Sequence, residues 1–273
     1  MNIAEMKWIY ELIIIIYCLS ITGYFIDFIQ SNRKVNKIAF WLLSFVWILQ
    51  TYSLLYNILS TSSFPITSLH DGLYFYAWIL VTFSLLINRF FRVDFFVFFT
   101  NLLGFFIMAI QIFSRATAQL SDSTGFENEW LITHITLALL SYGIFTLSFI
   151  FSVMYLLQYH ILKRKKWSKV FWRLGDLGKL DRYSFFLIIV GVPLLLIAIL
   201  LGLIWGHVSG DPFYWYDSKT LGSILVSFVY IIYLFLRVVM GYQGKAIAFF
   251  NLCAFLFLLV NYFLFGALSN FHF

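Results

Sequence analysis

Eight long apolar runs divide this sequence, and each is near or above the ~20 residues that a helix needs to cross a bilayer. They lie at Trp8–Phe28, Ile38–Leu59, His70–Asn88, Val93–Ser114, Glu129–His160, Ser184–Gly206, Lys219–Met240 and Ala246–Leu268. With 62% hydrophobic and only 11% charged residues, the chain has too little polar surface to cover a soluble globule. The sequence therefore predicts an all-α, polytopic bundle of eight transmembrane helices, forming a single integral membrane domain over residues 1–273.

The lysines and arginines of the loops predict the orientation of the bundle, because these residues resist translocation. One side carries 15 of the 18 Lys and Arg and four acids, a balance of 15 minus 4, or +11. The other side carries three Lys and Arg and eight acids, a balance of 3 minus 8, or −5. The basic side is therefore predicted to be cytosolic, and both termini are predicted to be external.

The sequence lacks the motifs that are typical of nucleic-acid-binding proteins and of several enzyme classes. The formal charge of +6 is spread over short loops between apolar runs, without a basic groove or an RNA-binding signature, so no nucleic-acid partner is expected. Cys18 and Cys253 both lie in apolar runs, far from any Cys-x-x-Cys spacing. No phosphate loop, His-Glu-x-x-His pair or nucleophile elbow occurs, so no catalytic residue is predicted and the protein is not expected to be an enzyme.

A short aromatic segment, residues 205–220, separates the sixth and seventh apolar runs on the predicted external side. It contains Trp205, His207, Trp215 and Tyr216. Aromatic rings beside a histidine are what a flat, apolar, metal-containing ligand such as haem requires of a site. The alternative is an interfacial aromatic belt, because Trp and Tyr favour the headgroup level of any membrane protein.

Four of the five histidines fall at the predicted external membrane edge: His70, His134, His207 and His272. Two imidazoles from different helices can supply both axial ligands of a haem iron, provided that their second ring nitrogens are held by partners. The alternative for each of them is an interfacial histidine held by ordinary hydrogen bonds.

A pair of glycines near the end of the sixth run, Gly202 and Gly206, has the Gly-x-x-x-Gly spacing. In membranes this spacing lets the backbone of a second helix approach closely. The pair therefore predicts a close-packing face for a neighbouring helix.

The longest basic segment, residues 163–182, is predicted to lie in the cytosol. Apolar and aromatic residues recur there at helical spacing with Lys and Arg between them, which indicates a basic amphipathic helix. Such a helix can lie on anionic lipid, or it can offer a docking face to an acidic soluble partner. The candidate partner-binding residues are Lys165, Lys166, Trp167, Lys169, Trp172 and Arg173.

Three stretches resemble the cytochrome c assembly family of the CcsA, CcmC and ResC type. Glu129-Trp-Leu-Ile-Thr-His134 and the residues up to Tyr142 look like the helix that carries the family's first external haem-ligating histidine. The 205–220 segment is similar to its tryptophan-rich haem-handling motif, and Asn261–His272 is similar to its last helix and second external histidine. The resemblance implies haem as the cofactor and its iron as the metal, with these candidate ligands and contacts: His134, His272, Trp205, Trp215, Tyr216, Asp217, His70 and His207.

The chain departs from the family pattern in ways that bear on haem transfer. Gly210, Tyr214 and Tyr216 replace the three tryptophans of the family motif, and Ser218 and Thr220 replace its Pro and Glu. The position of the inner histidine of synthase-type members falls near Phe235, which cannot ligate iron. A relay of haem from the membrane interior to the external site is therefore not expected.

Further stretches resemble the HemX-type branch, eight-helix membrane proteins of Gram-positive bacteria. They are Phe40–Gln50, Gly72–Trp78 and Asn88–Phe95. This resemblance implies a multi-pass protein of a bacterial cell membrane that controls haem biosynthesis by lowering the amount of glutamyl-tRNA reductase, with the reductase as a possible partner on the cytosolic side. The alternatives are a haem-handling subunit of cytochrome c assembly, for delivery or ligation of haem, and a transporter.

Overall fold

The computed structural model of the chain describes residues 3–61, 69–91, 94–117, 129–164, 176–208 and 217–265. Within these ranges the chain forms eight α-helices and no strand: α1 (Ile3–Gln30), α2 (Arg33–Thr61), α3 (Leu69–Phe91), α4 (Asp94–Thr117), α5 (Glu129–Lys163), α6 (Leu177–Val208), α7 (Ser218–Val238) and α8 (Lys245–Val260). A π-helical turn, Asn261–Phe265, continues α8. All eight helices are long and apolar enough to cross a membrane, which confirms the predicted polytopic all-α architecture. The external position of both termini stays a prediction.

The helices group into two compact units, residues 1–127 and 128–273. In the first unit α1 packs against α2 and α4, and α3 packs against α4 and α2. In the second unit α5 packs against α6 and α8, while α7 lies against both α6 and α8. The single domain over residues 1–273 stays a prediction.

Small residues and buried hydrogen bonds join the helices of the first unit. A side chain at Gly23 would place its Cβ 2.9 Å from the Cβ of Ala39, so α1 and α2 cross in close contact. The Tyr17 hydroxyl of α1 donates to the Oδ1 atom of Asn101 in α4 at 3.2 Å. Both groups are buried, and the bond satisfies polar atoms that have no water to bind inside a bilayer.

A buried polar cluster joins three helices of the second unit. The Asn251 amide of α8 donates to the hydroxyls of Ser148 and Ser152 on α5 at 2.9 Å, and Ser184 of α6 lies 3.2 Å from the same nitrogen. All four side chains are buried. Hydrogen bonds between membrane helices stabilise their association, so this cluster fixes the mutual positions of α5, α6 and α8.

Replacing Asn251 by leucine is expected to lower the free energy of unfolding by about 1–2 kcal/mol, because interhelical hydrogen bonds in membranes contribute about 0.6 kcal/mol each on average and the serine hydroxyls lose a partner. Unfolding in mixed detergent micelles, followed by circular dichroism, measures the change. Leu256→Ala is the control, since Leu256 lies on the same helix and is 52% exposed. An Asn251→Leu protein as stable as the unaltered chain would contradict the role of the cluster.

Helix α6 begins at Leu177, seven residues before the start of the apolar run at Ser184. The extension is stabilised by Asp176, whose Oδ1 atom accepts hydrogen bonds from the backbone N–H groups of Gly178 at 2.7 Å and Lys179 at 3.2 Å. One turn later, Asp181 forms an ion pair with Arg237 at the end of α7. The polar residues from Lys179 to Arg182, which belong to the predicted cytosolic loop, therefore lie in the first turns of a helix.

Candidate functional site

His134 lies in the second turn of α5, on the side of the second unit where α6 ends and α7 begins. Its Nδ1 atom is 2.6 Å from the backbone carbonyl oxygen of Ala198 in α6. Because a carbonyl can only accept, Nδ1 carries the proton and Nε2 carries the lone pair. A histidine oriented in this way by a backbone carbonyl is the usual arrangement for imidazole ligands of metals.

The His134 ring lies directly against Gly202 of α6. A Cβ atom built at Gly202 would come within 2.6 Å of the ring Cε1 atom, so no larger residue fits there without moving the histidine. The predicted packing face on α6 is therefore occupied by His134 of α5. The same Cβ atom would lie 2.8 Å from Nδ1 and 3.2 Å from Nε2 of the ring.

Gly202→Ala is expected to lower the free energy of unfolding by about 1–3 kcal/mol, because the added methyl group overlaps the His134 ring. In a His134→Ala background the same substitution should cost less than about 1 kcal/mol, since the ring is gone. Unfolding of the four proteins in mixed micelles provides the coupling energy. An equal cost in both backgrounds would rule out this contact.

Trp205 and His207 occupy the last turns of α6 and face different directions. Trp205 follows Gly202 by three residues, so it lies ~60° round the helix, near the face that contacts His134. His207 is roughly 140° from Gly202 and its side chain is exposed. The structure therefore brings Trp205 to the His134 side of α6 and turns His207 away, and the predicted contacts of both with haem stay predictions.

Asp217 and Lys219 begin α7 beside the same site. The Asp217 carboxylate accepts hydrogen bonds from the backbone N–H groups of Lys219 at 3.0 Å and Thr220 at 3.4 Å, so it caps the helix. The half-buried ammonium of Lys219 interacts electrostatically with both Asp217 and the His134 ring. Asp217 thus has a structural role that the motif did not indicate, and Lys219 is a cation placed beside the imidazole.

A second set of polar side chains joins α5, α7 and the π-helical turn that follows α8. The Asn261 amide, in the π-helical turn after α8, lies 3.3 Å from the Ser223 hydroxyl and 3.5 Å from the Tyr142 hydroxyl. Tyr142 follows His134 on α5, and Ser223 follows Lys219 on α7. These contacts tie the segment that leads to His272 to the helices that carry His134 and Lys219. Sequence reasoning missed Ser223 and Ala198, which carry no motif, and it gave Asn261 no contact of its own within the stretch that resembles the family's last helix.

Several predicted site residues lie outside the described part of the structure. They are Trp215, Tyr216, His272, Lys165, Lys166, Trp167, Lys169, Trp172 and Arg173. His70 lies in the first turn of α3, and its side chain is also outside the described part. Their roles stay predictions. Phe235, which occupies the place of the family's inner histidine, is 49% exposed on α7 and therefore faces away from the packed helices.

The chemistry of the described groups fits haem. An imidazole whose Nδ1 is held by a carbonyl can present Nε2 to iron. Trp205 adds an aromatic surface near the same face of α6, and Lys219 adds a cation of the kind that pairs with a propionate. Among the described residues no group of three or more His, Cys, Asp or Glu is placed to hold a metal ion.

Comparison with known proteins finds a matching family profile and several similar proteins. The profile of the family described as "Cytochrome C assembly protein" matches residues 66–272. "Protein HemX" of Bacillus subtilis (strain 168) is 50% identical over 260 residues, which cover 95% of this chain and 94% of that protein. "Protein HemX" of Brevibacillus brevis is 43% identical over 270 residues, 98% of both chains. "Cytochrome c biogenesis protein CcsA" of Heterosigma akashiwo (strain CCMP452 / OLISTH) is 24% identical over 260 residues, 80% of this chain and 75% of that protein.

Proposed function

Because the chain belongs to the cytochrome c assembly protein family, we propose that it is a HemX-like membrane protein that controls haem biosynthesis by lowering the amount of glutamyl-tRNA reductase. It acts without catalysis of its own, in a bacterial cell membrane, and binds haem at its external edge. The observation that supports this proposal over the others is the extent of the similarity to the HemX proteins. At 50% and 43% identity it runs through almost the entire chain, whereas CcsA is 24% identical over a stretch of equal length.

Haem binding is proposed for the residues around His134. In that proposal the Nε2 atom of His134 would ligate the iron, Trp205 would contact the porphyrin and Lys219 would pair with a propionate. His272 is the second ligand that the family pattern implies. Bound haem would supply an iron centre with a characteristic absorption spectrum. The hydrogen bond from Nδ1 to Ala198 fixes the orientation of the first imidazole before haem arrives.

The reductase is proposed to be reached from the other end of the bundle. The basic segment 163–182 carries the candidate docking residues, and an acidic soluble partner would complement its charge. Helices α5 and α6 both run from the basic segment to the residues around His134, so they connect the two ends of the unit. Occupancy of the external site would be transmitted through their packing, including the contact of His134 with Gly202.

The alternative function is a haem-handling subunit of cytochrome c assembly. It is favoured by the family match and by the similarity to CcsA. Phe235 argues against it, because an exposed apolar side chain replaces the inner histidine that a haem relay needs.

Deleting the gene and measuring two products in the same membranes separates these functions. The regulatory proposal expects more glutamyl-tRNA reductase by immunoblot and an unchanged amount of covalent c-type cytochrome by haem staining. Loss of c-type cytochrome with an unchanged amount of reductase would overturn it in favour of the assembly function. Expression of the unaltered chain from a plasmid is the control, and it should return the altered product to its original amount.

A further inference from the structure

A groove of about 760 Å³ lies between α5 and α8, at the end of the second unit opposite His134. Leu156 of α5 and Phe249 of α8 line its apolar part. Lys163, Arg164 and Lys245 line its rim. The proposed haem site uses none of these residues.

The polarity of the groove changes along its length. The segment of α8 that can cross a bilayer begins at Lys245 and is 19 residues long, which is close to the ~20 residues that a hydrocarbon core requires. This length places Lys245 at the depth of lipid headgroups and Phe249, one turn further along α8, at the depth of acyl chains. On α5, Leu156 precedes Lys163 by seven residues, roughly 10 Å, so this helix shows the same change from apolar to basic.

The rim is suited to an anion. Three cations line the groove, and none of the described lining residues is acidic. Lys245 is kept at the rim by the ring of Tyr159, whose centroid lies 6.0 Å from the Nζ atom. All three cations are exposed, so they remain within reach of a ligand that enters from the side.

We infer that this groove binds one anionic phospholipid, with the phosphate against Lys163, Arg164 and Lys245 and an acyl chain along Leu156 and Phe249. The volume is in the range of roughly 300–1,000 Å³ that small-molecule sites occupy. A net negative headgroup is selected over a zwitterionic one, because the described lining residues offer three cations and no carboxylate to a choline or ethanolamine. Basic pockets between membrane helices at the cytoplasmic surface bind headgroups by the same chemistry.

Native mass spectrometry of the purified full chain tests this inference. The probes are phosphatidylglycerol and phosphatidylcholine with the same acyl chains, and glycerol phosphate as the headgroup without chains. The unaltered chain should retain one phosphatidylglycerol in preference to phosphatidylcholine and should bind glycerol phosphate far more weakly. Equal retention of the two lipids would overturn the anionic selectivity, and equal binding of glycerol phosphate would overturn the role of the acyl chain.

The variant Lys163→Gln/Lys245→Gln identifies the site. Its affinity for phosphatidylglycerol should fall roughly 25-fold, about fivefold for each cation removed. The matched control is Lys34→Gln/Lys37→Gln, which removes two exposed lysines of the first helical unit, and its affinity should not change. An equal loss of affinity in both variants would mean that the lipid is attracted by the overall charge of the protein, and it would overturn the assignment of the site to the groove. Circular dichroism of both variants checks that the helices are intact.

Discussion

Purified His134→Ala protein is expected to bind ferric haem at least ~100-fold more weakly than the unaltered chain, because the substitution removes an iron ligand, and loss of a partner of such a ligand alone costs roughly 10- to 100-fold. Titration of haem into the protein in detergent, followed through the absorption band of bis-imidazole iron, measures the affinity. The structural reason is the orientation of the imidazole. Its Nδ1 atom donates to the backbone carbonyl oxygen of Ala198, which lies 2.6 Å away.

His160→Ala is the matched control for that titration. His160 lies on the same helix as His134 but at its other end, where its side chain is exposed. Its replacement should leave haem affinity unchanged. Equal binding of haem by the His134→Ala and His160→Ala proteins would mean that His134 has a packing role only.

The second large effect is expected at the ion pair of Asp181 and Arg237. Asp181→Asn should lower the free energy of unfolding by about 3 kcal/mol, because it leaves a mostly buried guanidinium without its carboxylate. The side chains of Arg237 and Asp181 are only 8% and 15% exposed, and Arg237 also lies over the Phe185 ring at 5.2 Å. Chemical unfolding in mixed micelles measures the loss.

The double variant Asp181→Asn/Arg237→Gln tests whether the unpaired charge causes the instability. With both charges removed, much of the lost stability should return. A double variant less stable than Asp181→Asn alone would show that Arg237 stabilises the fold through other contacts, such as its hydrogen bond to the Tyr242 carbonyl oxygen at 3.3 Å.

The number and class of the helices could be predicted from the sequence, because the bilayer fixes the length of each apolar run. The ends of the helices could not be predicted equally well. The first turns of α6 contain Lys179, Asp181 and Arg182, which resemble a cytosolic loop in any hydropathy pattern. They are helical because Asp176 caps the helix and Asp181 forms an ion pair with Arg237 on α7. Neither contact can be recognised before the positions of these residues in the fold are known.

For the candidate site, the sequence could indicate residue types but not the contacts that hold them in place. The spacing of Gly202 and Gly206 indicated a packing face, but a single sequence cannot say which side chain fills it, and the structure assigns His134. The ligand contact that the family motif implies for Asp217 stays a prediction, and the motif did not indicate that this carboxylate caps α7. Asn251 and its three serines were not anticipated, because isolated polar residues in apolar runs carry no signal until their partners on other helices are known.

The link between the haem site and the regulation can be measured in one strain. In a deletion strain that expresses either the unaltered chain or His134→Ala at equal amounts in the membrane, glutamyl-tRNA reductase is quantified by immunoblot. The unaltered chain should lower the amount of reductase, while His134→Ala should leave it at the level of the deletion strain. A His134→Ala protein that binds no haem and still lowers the reductase as fully as the unaltered chain would contradict this link.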